Sequence, residues 1–449
     1  MQVASKPAAG SSAPADVPPA SFFYAWYTVG VLTLLYTFSF VDRQILTLLF
    51  GPIKRDLAIS DTQVSLLSGI AFAGLYALLG ISIARLTDRG NRVAIITAGM
   101  LLWSAMTAAC GLARNYWQLF LARVGVGIGE ATLSPAAYSI IADLFPPHRL
   151  GRALGVYTLA IYVGMGAALM LGSFVVAFVQ GLPPITIPHI GAIRPWQLAL
   201  VCVGLPGLAL AVLMKTVREP QRRGVPTLKD DAQAASVFRY LGEHWRVYAP
   251  HFAGFSLMGL LGNGLATWVP EFFFRHHGWP PPRTGVAFGL ILLFCGGPGV
   301  LLGGWYADRR RAAGVLDAPI RVAIAAIVPL GVCGVIMPLV SNPWVALALL
   351  AVIMFCFSLP GGLAPASVQM VTPPRLRARV SAVYLFCTSL IGGGFGPTVV
   401  AAVTDYVFRN ESALGYSLSV VAAVVTPISV LALVSLLRPF RSTVADMNA

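Results

Sequence analysis

Charge is scarce in this chain of 449 residues: Asp, Glu, Lys and Arg together make up 11%, where a soluble domain carries about 25%. That scarcity excludes an ordinary water-facing surface. Lysine is rarest. Lys6, Lys54, Lys215 and Lys229 never follow a glycine, so no G-x-x-x-x-G-K phosphate loop exists and a nucleotide-driven pump is disfavoured. Neither G-x-S-x-G nor H-E-x-x-H occurs, which removes the common hydrolase signatures and argues against an enzyme. The six cysteines lie in apolar runs without a C-x-x-C. They read as small buried residues, not as disulfides or metal ligands. His276 and His277 are adjacent, so their side chains diverge, and no metal or cofactor is expected.

What remains is apolar. Hydrophobic residues make up 57%, with 45 glycines and 32 prolines among them, as is common in membrane helices. The class is a polytopic all-α membrane protein. Twelve apolar runs follow one another, at about 22–50, 62–86, 93–113, 117–145, 150–180, 196–217, 244–275, 284–307, 321–340, 344–371, 378–407 and 413–437. Each is long enough to span a bilayer, which takes about 20 residues. Residues 1–21 are rich in Ala, Pro and Ser and read as a disordered tail, with no signal peptide.

Net charge is +14. In a soluble protein that points to nucleic acid; here the arginines sit in short loops and set topology, so no nucleic-acid partner is expected. With both termini placed in the cytoplasm, 22 Lys and Arg fall on the inner side and 7 on the outer side. This bias predicts cytoplasmic termini and a multi-pass protein of the inner (plasma) membrane. The charged connection 218–243 divides the chain into a bundle at 22–217 and a second at 244–440, with a tail at 441–449. An amphipathic surface helix is expected at about 232–241. The two halves repeat. Asp88-Arg89 matches Asp308-Arg309, and PPHRLGRALGVY at 146–157 matches PPRLRARVSAVY at 373–384, as in a duplicated six-helix unit.

The fourth run carries Arg123 and Glu130 well inside it. A charge at mid-membrane costs roughly 3 kcal/mol or more and is rarely without a function. Seven residues make nearly two helical turns, so both side chains share one face, about 10 Å apart. Gly125, Gly127 and Gly129 between them admit a close neighbour. The first run adds Asp42 and Arg43, about 12 Å below its outer end at helical rise.

Twelve spans, two halves and Asp-Arg loops after spans two and eight resemble the major facilitator superfamily. Three further motifs resemble its Spinster-type lipid transporters: Asp42-Arg43 in span one, Asp88-Arg89-Gly90-Asn91-Arg92 after span two, and Arg123, Gly127, Gly129, Glu130 and Ala131 in span four. The chain departs from the superfamily at Ala84, where the loop usually has glycine, and in span five, which has Gly164-Met165-Gly166 where antiporters commonly show Gly-Pro. The resemblance implies twelve transmembrane helices in two pseudo-symmetric bundles, a substrate site between them near mid-membrane, and transport by rocking. Spans one and four then line the cavity. Asp42 and Glu130 are expected to exchange protons, while Arg43 and Arg123 hold the carboxylates or an anionic substrate group. The competing reading is a permanent ion-pair network that locks the first half. Asp88, Arg89, Arg92, Asp308, Arg309 and Arg152 are expected to form a cytoplasmic latch that stabilises the outward-open state, Asp88 meeting the positive end of a helix dipole. Asp143 either joins that latch or makes a solvated bridge to Arg149 and Arg152.

Amides, which sugar sites need, are almost limited in the spans to Asn263, Gln44 and Gln369. Asn263 is placed with the charge network. An apolar second wall is expected from Phe252, Phe255, Phe288, Phe294, Phe355, Phe357, Tyr384 and Phe386. A cavity charged on one wall and apolar on the other suits an amphipathic, lipid-like molecule, as the Spinster resemblance implies; a polyspecific efflux transporter for drugs is the alternative. The partners expected are that molecule, protons and membrane lipids, with the protein a monomer. Kinks are expected at Asn263-Gly264 and Pro270 in span seven, at Pro360-Gly361-Gly362 in span ten, and at Gly392–Gly394 in span eleven.

Overall fold

The computed structural model describes residues 22–74, 76, 78–79, 83, 86–87, 90–182, 185–187, 191–222, 231–373 and 376–448. Ten helices in it are long and apolar enough to cross a membrane. They include span one (Phe22–Leu48), span three (Arg92–Cys110), span five (Pro147–Gln180), span six (Pro195–Met214) and span seven (Trp245–His277). Spans eight to twelve follow over Pro281–Ala312, Ala318–Leu339, Pro343–Met370, Arg379–Phe408 and Glu411–Met447. Two further segments complete the twelve, and both are broken. Span two is a helix Asp61–Ser68 that passes into a π-turn at Ile70–Gly74. Span four stops at Glu130 and resumes as Leu133–Leu144. The chain is a multi-pass integral membrane protein. Among the described residues the only strands are a small antiparallel pair, Ile185–Ile187 with Gly191–Ile193, in the connection before span six.

The break in span four has a local cause. Three alternate glycines lower helix propensity, and the Thr132 hydroxyl donates to the Gly129 carbonyl at 2.8 Å while the Thr132 N–H reaches the same oxygen at 3.2 Å. The glycines also set the packing. A Cβ on Gly129 would lie 2.7 Å from the Gly99 carbonyl oxygen, and one on Gly127 would lie 2.8 Å from that of Phe72. Spans two and three therefore reach the backbone of span four.

Span one packs on span five and span three on span six; in the second half span seven packs on spans eleven and twelve. Tyr157 and Tyr384, matched by the repeat, occupy similar places. Tyr157 stacks on Tyr36 of span one at 4.8 Å, and Tyr384 lies against His251 and Phe252 of span seven at 5.5 and 5.6 Å. Between the halves, span five meets span eight and span two meets span eleven.

Span seven runs as one unbroken helix through Asn263, Gly264 and Pro270, and Pro270 is buried. Span ten does break at residues 359–362, and span eleven becomes a π-segment at Ser389–Phe395. The linker carries a helix at Asp231–Glu243. The last helix continues into the C-terminal tail as far as Asn448, with Phe440 and Val444, one turn apart, buried. Residues 1–21 lie outside the described residues.

Candidate functional site

Span one, the π-turn of span two and the glycine face of span four bring the intramembrane charges together. Arg43 donates from Nε to Glu130 Oε2 at 2.6 Å, and its Nη2 lies 2.6 Å from the same oxygen. The Glu130 side chain is fully buried and that of Arg43 is 24% exposed. Charge-assisted pairs of this geometry are the strong kind. The other Glu130 oxygen, Oε1, has no hydrogen-bond partner. The Arg43 guanidinium also lies over three rings, 4.9 Å from Phe40, 4.6 Å from Phe72 and 5.5 Å from Tyr76.

Asp42 is fully buried, and neither carboxylate oxygen meets a donor at hydrogen-bonding geometry. Its charged neighbours are Glu130, Arg123 and Arg43. Arg123 is 1% exposed. It makes two long contacts, 3.4 Å to the backbone carbonyls of Leu67 and Asp42. Among the described residues no carboxylate lies within ion-pair distance of it. With only these two long contacts, Arg123 keeps donors for a further partner, beside the Asp42 and Glu130 carboxylates that it neighbours.

A cavity of about 430 Å³ lies between the halves, within the range of small-molecule sites. Arg43, Gln44, Tyr76 and Arg123 line one wall, and Asn263, Met354 and Phe357 line the other. Among the described residues no Asp or Glu lines it. The two carboxyl groups of Asp42 and Glu130 sit behind the arginines, not on the cavity surface. Of the aromatic residues expected for the second wall, only Phe357 lines the cavity. Phe252, Phe255 and Tyr384 gather instead around His251, whose Nε2 lies 2.7 Å from the Ser367 hydroxyl. Phe288 is in the core and Phe294 is exposed; on a helix packed on several sides, aromatic spacing alone does not say which side faces the cavity.

Of the expected latch, no ion pair across the halves is seen among the described residues. Asp88 and Arg89 lie outside the described residues. Arg92 is fully buried and ties its own half to the start of the linker, with Glu219 Oε1 at 2.6 Å, Ser139 Oγ at 2.8 Å, the Pro220 carbonyl at 2.7 Å, and Asp143. Asp143 thus pairs with Arg92, not in a solvated bridge to Arg149 or Arg152. Asp308, Arg309 and Arg152 are exposed, and among the described residues none of them forms an ion pair across the halves.

The halves are joined by charge at the opposite face, the one away from the termini. Arg275, at the end of span seven, places Nη1 and Nη2 each 2.8 Å from the two oxygens of Asp61, at the start of span two. Asp61 is fully buried and also takes Lys54. Lys54 in turn reaches Glu411 at 3.0 Å, and Arg275 reaches Glu271 at 2.8 Å. The Thr62 N–H donates to Asp405 at 2.6 Å. Among pairs with both members described, every ion pair and hydrogen bond between the halves lies at this face. Loop arithmetic counts Lys54 and Arg275 only as topological charges; nothing in the sequence marks Arg275 as a partner of Asp61, 214 residues away.

Comparison with known proteins agrees with this architecture. Residues 32–397 match the family described as Major Facilitator Superfamily. An MFS-type efflux pump of Mycolicibacterium smegmatis is 35% identical over 290 residues, which cover 64% of this chain and 63% of that protein. Protein spinster homolog 3 of Homo sapiens is 27% identical over 68% of this chain and 61% of its own length. The matches thus span about six-tenths of those curated relatives. The crystal structure of a bacterial homologue of the human lysosomal transporter Spinster, inward-facing and unoccupied, is 27% identical, with a TM-score of 0.71 over 95% of this chain and 97% of that one.

Proposed function

The chain belongs to the Major Facilitator Superfamily and is a transporter, not an enzyme; we propose that it carries an amphipathic, lipid-like anion by alternating access, coupled to protons. One observation carries the substrate class. The cavity between the halves presents two guanidinium groups and no carboxylate among its described lining residues. A buried site of that charge selects an anionic group such as a phosphate, which arginine binds through paired donors. The facing Met354 and Phe357 suit a hydrocarbon portion. Likeness to Spinster proteins supports the same class.

Proton coupling rests on Asp42 and Glu130. A carboxylate as buried as Asp42, with no donor on it, must either take a proton or gain Arg123 as a partner, because an uncompensated buried charge costs several kcal/mol. Substrate that occupies Arg123 removes the second option and leaves the first. Glu130 is similarly exposed to protonation whenever Arg43 turns to the cavity. The loop charges support cytoplasmic termini in the plasma membrane, and two six-helix bundles at 22–217 and 244–440 rock about the cavity. Asp88, Arg89, Asp308, Arg309 and Arg152 form their latch in the outward-open state; this structure is closed at the face where that state opens.

Likeness to an efflux pump favours a second reading, polyspecific export of organic compounds. Uptake into proteoliposomes separates the two. A radiolabelled anionic lysolipid should compete and move, and a panel of lipophilic cations should not, with uptake driven by a pH gradient. Asp42→Asn and Glu130→Gln should each abolish the pH-driven component. Unchanged transport in both variants would end the coupling assignment, and transport of the cations alone would end the substrate assignment.

A further inference from the structure

We infer that Phe72 is a positioning residue of the charge site, its ring shared by the two guanidinium groups and tying their placement to the contact between the halves. The Arg43 guanidinium carbon lies 4.6 Å from the Phe72 ring centroid, and that of Arg123 lies 5.6 Å from the same centroid. Two like charges thus share one small ring in a buried place. A ring face attracts a cation and has no acceptor atom to occupy a guanidinium N–H. Each arginine keeps its donors for a carboxylate or for the cavity.

The backbone under Phe72 is unusual. Phe72 sits in the π-turn Ile70–Gly74, and such turns recur at functional sites because they shift side chains out of helical register. Gly127 of span four fits directly beneath, where a Cβ would lie 2.8 Å from the Phe72 carbonyl oxygen. Three residues earlier, Gly69 abuts the second half: a Cβ there would lie 2.3 Å from the carbonyl oxygen of Gly394. Gly394 belongs to the π-segment of span eleven. Two irregular turns therefore meet across the halves, and one of them carries the ring that holds both arginines. Any rocking that parts Gly69 from Gly394 releases the turn and re-aims Arg43 and Arg123.

The functional side of this inference rests on the proposed role of the two arginines in holding an anionic group. Phe72→Leu keeps bulk and removes the ring face; Phe72→Tyr keeps the face. In proteoliposomes with radiolabelled oleoyl-lysophosphatidylglycerol, Phe72→Leu should raise KM about tenfold, the size expected when cation–π contacts are lost from a desolvated site. Its kcat should stay within about twofold, since the loss is in binding. Phe72→Tyr should restore KM. Equal KM in the leucine and tyrosine variants would overturn the inference. A second measurement needs no substrate. The drop in unfolding temperature caused by Phe72→Leu should be smaller when Arg123→Gln is already present, because one cation has gone. An equal drop in both backgrounds would also overturn it. If the wild-type protein moves no lysolipid, the transport reading fails, and the unfolding comparison still decides the role of Phe72.

Discussion

Asp61→Asn tests how firmly the face away from the termini is shut. In the closed structure the Asp61 carboxylate takes two guanidinium donors from Arg275 at 2.8 Å each, and Lys54 as well. The side chains of Asp61, Lys54 and Arg275 are 0%, 5% and 15% exposed. Removing one partner from a buried pair costs about 3–5 kcal/mol, mostly because the other charge is left uncompensated. In a state open at this face the two halves have parted and water solvates both cations, so most of that cost falls on the closed state alone. A differential of about 3 kcal/mol multiplies the open-to-closed ratio by a factor on the order of 100. Thr398→Cys reports this opening, because Thr398 lies at the same seam, 3.4 Å from the Ser65 hydroxyl across the halves. In micelles, with the six native cysteines replaced, a water-soluble maleimide should label that cysteine much faster in the Asp61→Asn protein. Arg275→Gln should do the same, and the double variant should fall short of the sum, as coupled partners do. An unchanged labelling rate in Asp61→Asn would refute the idea that this ion cluster holds the halves together.

Three other outcomes follow from the same geometry. Gly127→Ala places a methyl group 2.8 Å from the Phe72 carbonyl oxygen; overpacking of this kind costs about 1–3 kcal/mol, so the unfolding temperature in detergent should fall and transport with it. Asp317, in the loop before span nine, is buried and pairs with Arg321 and Arg441 at 2.9 Å each. Burial alone would raise its carboxyl, but the hydrogen bonds and charge of Arg321 and Arg441 outweigh burial and hold it below the usual range. A depressed carboxyl gives stability that is present above the unfolded value, about pH 4, and is lost as pH falls through the folded value. Asp317→Asn should therefore lower the unfolding temperature at neutral pH and converge on the wild type in acid. The gap should reflect about 1 kcal/mol, since both arginines are half exposed and screened, and a gap that widened in acid would contradict the assignment. Arg43→Lys should lose anionic-substrate binding, because an ammonium cannot stack on three rings while pairing with Glu130; full retention would show that a point charge suffices.

The helix count was readable because hydropathy over twenty residues is a local property. The charge site was legible in part: the structure brings Arg43 of span one to Glu130 of span four, but Asp42 and Glu130 lie behind the arginines and not on the cavity surface. The glycines of span four were legible as points of close approach, and Gly127 and Gly129 are such points. What could not be read depends on contacts between distant segments. Lys54, Asp61, Arg275 and Glu411 look like ordinary loop charges until the halves are folded together. Arg92 carries a superfamily loop motif, yet its partners are Asp143 of its own half and Glu219 at the start of the linker. Rings around Arg43 were missed for another reason. Phe72 and Tyr76 sit on a π-turn and the segment after it, where helical periodicity no longer predicts direction.

The far-face cluster and the cavity must exchange free energy if the protein is to alternate. Opening that face breaks contacts worth a few kcal/mol, and a ligand can drive the change only by the difference in its affinity for the two states. A substrate that met identical donors in both states would leave the closed face closed, however tightly it bound. The arginines must therefore be aimed differently in the two states. Their surroundings allow this. Arg43 is held by one carboxylate oxygen and three ring faces, and Arg123 by two long carbonyl contacts. Ring faces and long contacts restrain direction weakly, whereas the paired donors on Asp61 restrain it strongly. Arg123 is thus the loosely held group of the site, whereas Arg43, with two donors on Glu130 at 2.6 Å, and the seam are firmly held. In the proposed cycle a bound anion draws on the loosely held Arg123, a proton on Glu130 frees Arg43, and the Gly69–Gly394 contact joins the turn that carries Phe72 to the second half.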